Sequence, residues 1–292
     1  MASRMRPLIG AGARAALSFS ARIPAAGELV APTLEQAVGG KLVLITGSSS
    51  GIGRASAHRV AAAGGRVILV ARTRETLDQV VAEIAAAGGT AAAYPCDLTD
   101  LEAIDGLVAA VSADHGVPDI LINNAGRSIR RSVARSYERF HDYERTMALN
   151  YFGAVRLTLG VLPGMRARRS GHIINISTMG LQTNTPRFSA YLASKAALDA
   201  FARSIAPEIV LDRVDITTVY MPLVRTPMIA PTKHYERLPA LSPDAAADLV
   251  CEAIRKRPKR VSTPLGTLSN AAYAAVPAVQ DILFSQIGHY VA

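Results

Sequence analysis

Leu42-Val43-Leu44-Ile45-Thr46-Gly47-Ser48-Ser49-Ser50-Gly51-Ile52-Gly53 is the stretch that decides the fold. Leu42 to Ile45 is a short apolar run bounded by turn residues, the pattern of a strand buried on both faces. Ala55 to Ala63, just beyond, is an alanine-rich helical pattern. Strand, glycine-rich turn and helix together form the frame in which a dinucleotide pyrophosphate docks on free N–H groups at a helix start. Gly47 permits the tight turn, Gly51 lets the backbone approach the phosphates, and Gly53 lets helix and strand pack closely. The spacing is Gly-x-x-x-Gly-x-Gly. A flexible loop is the competing reading, and the flanking strand and helix argue against it.

The pattern repeats along the chain. Arg66 to Val70 reads as a second strand, Ala91 to Pro95 as a third, and Pro118 to Ile122 as a fourth ending in Asn123-Asn124-Ala125-Gly126. A long helical stretch runs from about Glu138 to Met165 and contains Asn150. Ile173 to Ile176 is a fifth strand ending in Ser177-Thr178, and Phe188 to Ile209 a helix. Val214 to Val219 is a sixth strand, and Arg260 to Ser262 a short seventh. Alternating βα units predict a single α/β domain of the Rossmann type, a doubly wound parallel sheet with helices on both faces. Ligands of such sheets bind at the carboxyl ends of the strands, where all these turns fall.

Cofactor choice is readable at the second strand. A site that prefers the 2′-hydroxyl of NAD places an acid at its tip. Here the tip is Ala71-Arg72-Thr73-Arg74, with no acid before Glu75. A guanidinium fork matches a 2′-phosphate, so NADPH is expected, with Arg72 as the main contact and Arg74 as a second candidate.

Tyr191 and Lys195 stand one helical turn apart in Tyr191-Leu192-Ala193-Ser194-Lys195. A free tyrosine has a pKa of about 10 and is a poor acid or base at neutral pH. A lysine cation on the same helix face favours the phenolate and makes the pair a general acid–base group. Tyr-x-x-x-Lys alone is common and carries little. Its place downstream of both turns gives it weight.

With those residues in order, the chain resembles the short-chain dehydrogenases/reductases from about Lys41 to Arg260. The resemblance implies that Gly47, Ser49, Ser50, Gly51, Ile52 and Gly53 cradle the cofactor, that Asp97 bonds the adenine amine, and that Asn124 steadies the sheet beside it. It implies that Tyr191 gives its proton to the substrate oxygen, that Lys195 holds the nicotinamide ribose and lowers the tyrosine pKa, and that Asn150 holds a water linking Lys195 to solvent. Pro222-Leu223-Val224-Arg225-Thr226 matches the family's Pro-Gly-x-x-x-Thr segment with Thr226 near the carboxamide, except that Leu223 replaces the glycine. The family's substrate-orienting serine has two candidates, Thr178 by register and Ser177 by residue type. Either hydroxyl can donate to a carbonyl oxygen. Pro207 lies inside the Tyr191 helix and should kink or end it about four turns past Tyr191, altering packing rather than chemistry.

Arg127, Arg130 and Arg131 follow the fourth strand, Arg187 precedes the Tyr191 helix, and Met221 to Lys233 is an apolar loop with flanking cations. Cations around an apolar lid suit an anionic head on a greasy tail, although salt bridging or solubility explains such arginines equally often. The stretches 123–131, 139–146, 187–199 and 221–233 resemble the bacterial fatty acyl-CoA reductases of this superfamily, which form fatty aldehyde with NADPH. That resemblance implies a long-chain acyl-CoA substrate. A carbonyl reductase of 3-oxoacyl, steroid or retinal type is the alternative, and a catalytically idle NADP-binding regulatory protein is the reading from another class.

Length and composition fit. The chain has 292 residues, a formal net charge of +9 and two cysteines, Cys96 and Cys251, with no metal-ligand spacing. No metal site, no disulfide framework and no nucleic-acid partner are expected, since no recognition motif accompanies the basic charge. Residues 1–39 form a basic, alanine-rich extension in which Arg4, Arg6, Arg14 and Arg22 precede the first acid, Glu28. Residues 40–264 are the NADP-binding domain, and 265–292 an apolar tail expected to cover the substrate site, an oligomer partner or a bilayer surface. A cytoplasmic homo-oligomer with peripheral membrane contact is the overall expectation.

Overall fold

The computed structural model describes residues 31–230, 235, 238–279, 281, 282 and 285. Most of the expected N-terminal extension, three positions of the expected lid (231–233) and the end of the apolar tail lie outside the described residues.

Seven parallel strands lie in the order β3-β2-β1-β4-β5-β6-β7. They are β1 Leu42–Thr46, β2 Arg66–Ala71, β3 Thr90–Pro95, β4 Ile120–Asn123, β5 Gly171–Thr178, β6 Val214–Met221 and β7 Arg260–Val261. The order reverses between β1 and β4, which is where a doubly wound sheet opens its ligand crevice. Side chains alternate across the pleat. Val43 and Ile45 of β1 therefore join one core with Val67, Leu69, Val60 and Val250, while Leu42 and Leu44 join the other with Ile68, Leu107, Val161 and Ile209. Burial on both faces explains why β1 reads as a continuous apolar run rather than an alternating one.

The helices are α1 Leu34–Val38, α2 Gly51–Ala62, α3 Arg74–Ala86, α4 Leu101–His115, α5 His141–Met147, α6 Ala154–Ala167, α7 Gly180–Thr183, α8 Ser189–Ile209, α9 Pro243–Lys256 and α10 Pro264–Ala275. Helix α1 falls within the expected extension. Its Thr33–Gln36 capping box and its buried Ala37 and Val38 tie it to the core.

Three local differences from the sequence reading have clear causes. β5 and β6 run longer than expected because Gly171 and His172 pair with Val214 and Asp215 at one end, and Ser177 and Thr178 with Tyr220 and Met221 at the other. The helix expected over 138–165 is divided into α5, a π-helical turn Ala148–Gly153 and α6. At Gly153 an added Cβ would lie 2.1 Å from the Leu98 carbonyl oxygen, so the segment after β3 presses directly on this turn. Pro207 does not stop α8, which continues to Ile209 before tightening into a 3-10 turn, Val210–Asp212.

Candidate active site

The glycine-rich turn is built as its spacing requires. Gly47 takes φ +65, and a Cβ at Gly53 would lie 2.3 Å from the Gly47 carbonyl oxygen. Helix and turn could not close with any other residue at position 53. Ser50 is the N-cap of α2, but its side chain makes no capping bond, and the first turn holds no acid. The first-turn N–H groups thus keep their attraction for an anion. Ser49 is half-buried and Ser50 exposed beside them, while Ile52 packs on the core.

A residue the sequence reading left without a role, Thr46, stitches this turn to the end of β4. Its hydroxyl donates to the Ile122 carbonyl at 3.2 Å and accepts from the backbone N–H of Asn124 and Ala125, each at 3.0 Å. The Asn124 amide donates back to the Thr46 and Gly47 carbonyls at 2.9 and 3.2 Å. Asn124 therefore braces the two strands at the switch point.

Thr226 closes the turn from above. A Cβ on Gly51 would lie 2.9 Å from the Thr226 methyl. The segment after β6 is held by Leu241, whose N–H donates to the Leu223 carbonyl at 2.8 Å while its own carbonyl accepts from Arg225 N–H at 2.9 Å. Leu223 has no left-handed φ, so this path does not need the missing glycine.

At the ends of β2 and β3, Arg72 is exposed and Asp97 accepts from the Thr99 N–H and hydroxyl at 2.9 and 2.8 Å. The Thr99 N–H is the main reason the Asp97 carboxyl is held below its usual range; burial opposes it, and the Thr99 hydroxyl, Arg72 and Arg127 add to the lowering. Arg74 instead pairs with Asp78 at 3.2 Å, one turn on in α3.

Tyr191 and Lys195 lie in the first turns of α8, and Thr178 ends β5. The Thr178 hydroxyl accepts from Gly180 N–H at 3.0 Å and lies beside the Tyr191 phenol, whose proton affinity it lowers. Ser177 points to the other face of the strand. Its hydroxyl is buried and has no hydrogen-bond partner among the described residues. The geometry therefore brings Thr178, and not Ser177, to Tyr191, because neighbouring strand residues face opposite ways.

Burial governs the proton affinities of this pair. Tyr191 is half-buried, and burial pushes its phenol up to about 12; the Thr178 hydroxyl lowers it and Tyr235 raises it. Burial brings Lys195 down to about 8. Lys195 Nζ donates to the Ile176 carbonyl at 2.8 Å. Burial is the largest influence on both groups, raising the phenol and lowering the ammonium.

Asn150 sits fully buried in the π turn. Its Oδ1 accepts from Arg127 N–H at 2.8 Å, and its Nδ2 donates to the Arg127 carbonyl and the Ser194 hydroxyl, both at 2.9 Å. Ser194, which fixes that amide, carried no sequence signal beyond standing next to Lys195. Gly126 lies between the two residues, its missing Cβ 3.4 Å from Asn150 Oδ1 and 3.5 Å from Lys195 Nζ.

The cations grouped at the site mouth separate in three dimensions. Arg127 acts on Asp97, on the cofactor side, and Arg130 acts on Tyr235. Tyr235 stacks on Phe188, with centroids 6.5 Å apart, and Phe188 meets the Tyr191 ring edge-on at 6.3 Å. This aromatic wall was not found in the sequence, because Tyr235 lies beyond the loop that read as a lid. Arg131 pairs with Asp142, and its N–H donates to the Arg187 carbonyl at 2.7 Å.

A parallel doubly wound sheet with a glycine cradle at its switch point and a Tyr–Lys helix beside it defines a nucleotide-dependent oxidoreductase. The short chain dehydrogenase family model matches residues 41–237, and the chain belongs to that family. It is 59% identical over 248 residues to a protein of Acinetobacter baylyi named fatty acyl-CoA reductase, covering 85% of this chain and 84% of that one. A short-chain dehydrogenase from Streptomyces avermitilis superposes with a TM-score of 0.72 at 32% identity, covering 86% of this chain and 97% of the other. A metagenomic short-chain oxidoreductase solved in complex with NADP superposes at 0.67 and 32% identity, covering 77% and 97%. The protein is thus an oxidoreductase that uses a nicotinamide dinucleotide on a small-molecule substrate. The residues present fit that cofactor. Gly51 and Gly53 stand where side chains would collide, and the α2 N-terminus has no capping side chain.

Proposed function

We propose that the protein reduces long-chain fatty acyl-CoA to fatty aldehyde with NADPH. The observation that carries the chemistry is the placement of Thr178, at the end of β5, beside the Tyr191 phenol, whose proton affinity its hydroxyl lowers, next to the cofactor cradle. The similarity to the named reductase of Acinetobacter baylyi supports the thioester substrate. Exposed Arg72 at the β2 tip, with no acid before Glu75, supports the 2′-phosphate.

The cradle at 47–53, Arg72, Asp97, Lys195 and Thr226 would hold the cofactor, and the nicotinamide would supply the hydride to the thioester carbonyl carbon. Tyr191, kept protonated at neutral pH by burial, donates to the carbonyl oxygen. Thr178 donates to the same oxygen and stabilises the developing negative charge. Lys195, fixed by the Ile176 carbonyl, sits on the same helix face as Tyr191 to meet the tyrosinate left behind. The resulting hemithioacetal breaks its C–S bond, releasing aldehyde and, with one proton, free CoA thiol. No cysteine nucleophile takes part. Burial pushes both Cys96 and Cys251 up to about 11, which keeps them as inert thiols.

NADPH oxidation with palmitoyl-CoA, read together with thiol release, tests this. Matching loss of NADPH and gain of thiol is expected. Oxidation only with an acetoacetyl thioester, without thiol, would make the protein a ketone reductase instead.

A further inference from the structure

Asp142 is the most heavily shared carboxylate on this face of the protein. Its side chain is 4% exposed, and its Oδ2 accepts from Arg131 Nε at 2.9 Å and Arg139 Nε at 3.1 Å. Arg145 lies 4.0 Å and His141 3.4 Å from its Oδ1. Burial alone would raise this carboxyl, but the hydrogen bonds and charges of Arg139 and Arg131 more than offset it and hold it below its usual range. Among the described residues, Glu138 and Glu144 pair with none of these guanidiniums. Each guanidinium carries five N–H donors, so three of them on one carboxylate leave most donors without an acceptor among the described residues. Arg139 and Arg145 keep 40% and 51% of their side chains exposed, so those donors face outward.

A second, independent feature adjoins them. Phe140 and Tyr143 stack with centroids 6.0 Å apart and 19° between planes, and Phe140 is 71% exposed. An exposed aromatic face beside preorganised guanidiniums is what a purine base with phosphates requires. The place is also right. The Tyr143 hydroxyl is 2.8 Å from Ser189 Oγ, two residues before Tyr191, and Arg131 is tied to Arg187 at the entry to α8.

We infer that Arg131, Arg139 and Arg145, held by Asp142 beside Phe140 and Tyr143, bind the adenosine 3′,5′-bisphosphate end of the acyl-CoA substrate. This rests on the thioester reading above and adds where the head of that substrate sits. The pantetheine arm then runs past the start of α8 to Tyr191.

The test is the full-length Arg139→Gln/Arg145→Gln double variant, whose changes are at exposed positions and spare the Asp142–Arg131 pair. Its KM for palmitoyl-CoA should rise about ten- to a hundredfold, the usual cost of losing hydrogen bonds to a charged group. Its KM for the palmitoyl-pantetheine thioester, its NADPH affinity and its kcat should stay put. Equal effects on both thioesters, or on neither, overturn the site. Binding of 3′,5′-ADP by calorimetry, with the dinucleotide site saturated by NADP, provides a readout without turnover. If no thioester is reduced, the thioester reading fails while 3′,5′-ADP binding that the double variant loses still supports the subsite. Absence of that binding in the unmodified protein overturns it.

Discussion

Thr178 and Ser177 provide a sharp test of the site, because they are adjacent hydroxyls with opposite surroundings. Thr178 meets the Tyr191 phenol, whereas Ser177 is buried with no partner among the described residues. Removing one donor to a developing oxyanion costs about 10²–10³ in kcat, or roughly 3–4 kcal/mol. Thr178→Ala should lose that much, and Thr178→Ser, which keeps a hydroxyl able to accept from Gly180 N–H, should retain most activity. Ser177→Ala deletes a buried hydroxyl that makes no hydrogen bond. An unsatisfied buried polar group costs about 1–3 kcal/mol, so its removal should leave kcat within a few-fold and leave the melting temperature unchanged or raised. The assay is initial-rate kinetics on all three variants alongside thermal denaturation. A Ser177→Ala variant that loses as much kcat as Thr178→Ala at unchanged melting temperature would refute the assignment.

Tyr191→Phe removes the O–H that donates to the substrate oxygen. It should cut kcat about 10²–10⁴-fold while leaving NADPH affinity by fluorescence titration unchanged; turnover within a few-fold of the parent would exclude Tyr191 as the acid. Arg72→Glu should shift the kcat/KM ratio from NADPH towards NADH, and an unchanged ratio would remove Arg72 from cofactor choice. His172 is fully buried and pushed down to about 3, chiefly by burial and then by Arg257, Lys259 and Lys41. A base whose folded pKa is depressed binds fewer protons folded than unfolded, so its contribution to stability is lost as pH falls from about 6.5 towards 3, by up to about 5 kcal/mol. His172→Gln should flatten that part of the urea-midpoint profile, and an identical profile in both proteins would mean that His172 does not govern acid unfolding.

The βα alternation and the glycine turn were legible because each rests on local rules. A buried strand, a positive-φ glycine and a helix start all leave marks within a dozen residues, and 42–53 shows all three. The long helix over 138–165 was misread for the same reason. Its periodicity is helical throughout, and the π turn at Ala148–Gly153 accompanies the close approach of Leu98, some fifty residues earlier. No local pattern records a contact of that range.

The sequence by itself determined the parallel sheet, the order of the motifs along it, the Tyr191–Lys195 pairing on one helix face and the absence of an acid at the β2 tip. Periodicity and spacing suffice for these, because they concern neighbours in the chain. Only the tertiary structure placed Thr178 rather than Ser177 beside Tyr191, separated the mouth arginines into a cofactor-side Arg127 and an Asp142-bound Arg131, and committed the Asn150 amide to Arg127 and Ser194. Those outcomes depend on which strand face, which buried carboxylate and which helix happen to meet. Burial then raised the proton affinity of Tyr191 and lowered that of Lys195, since desolvation is a property of the packed site and not of the sequence interval.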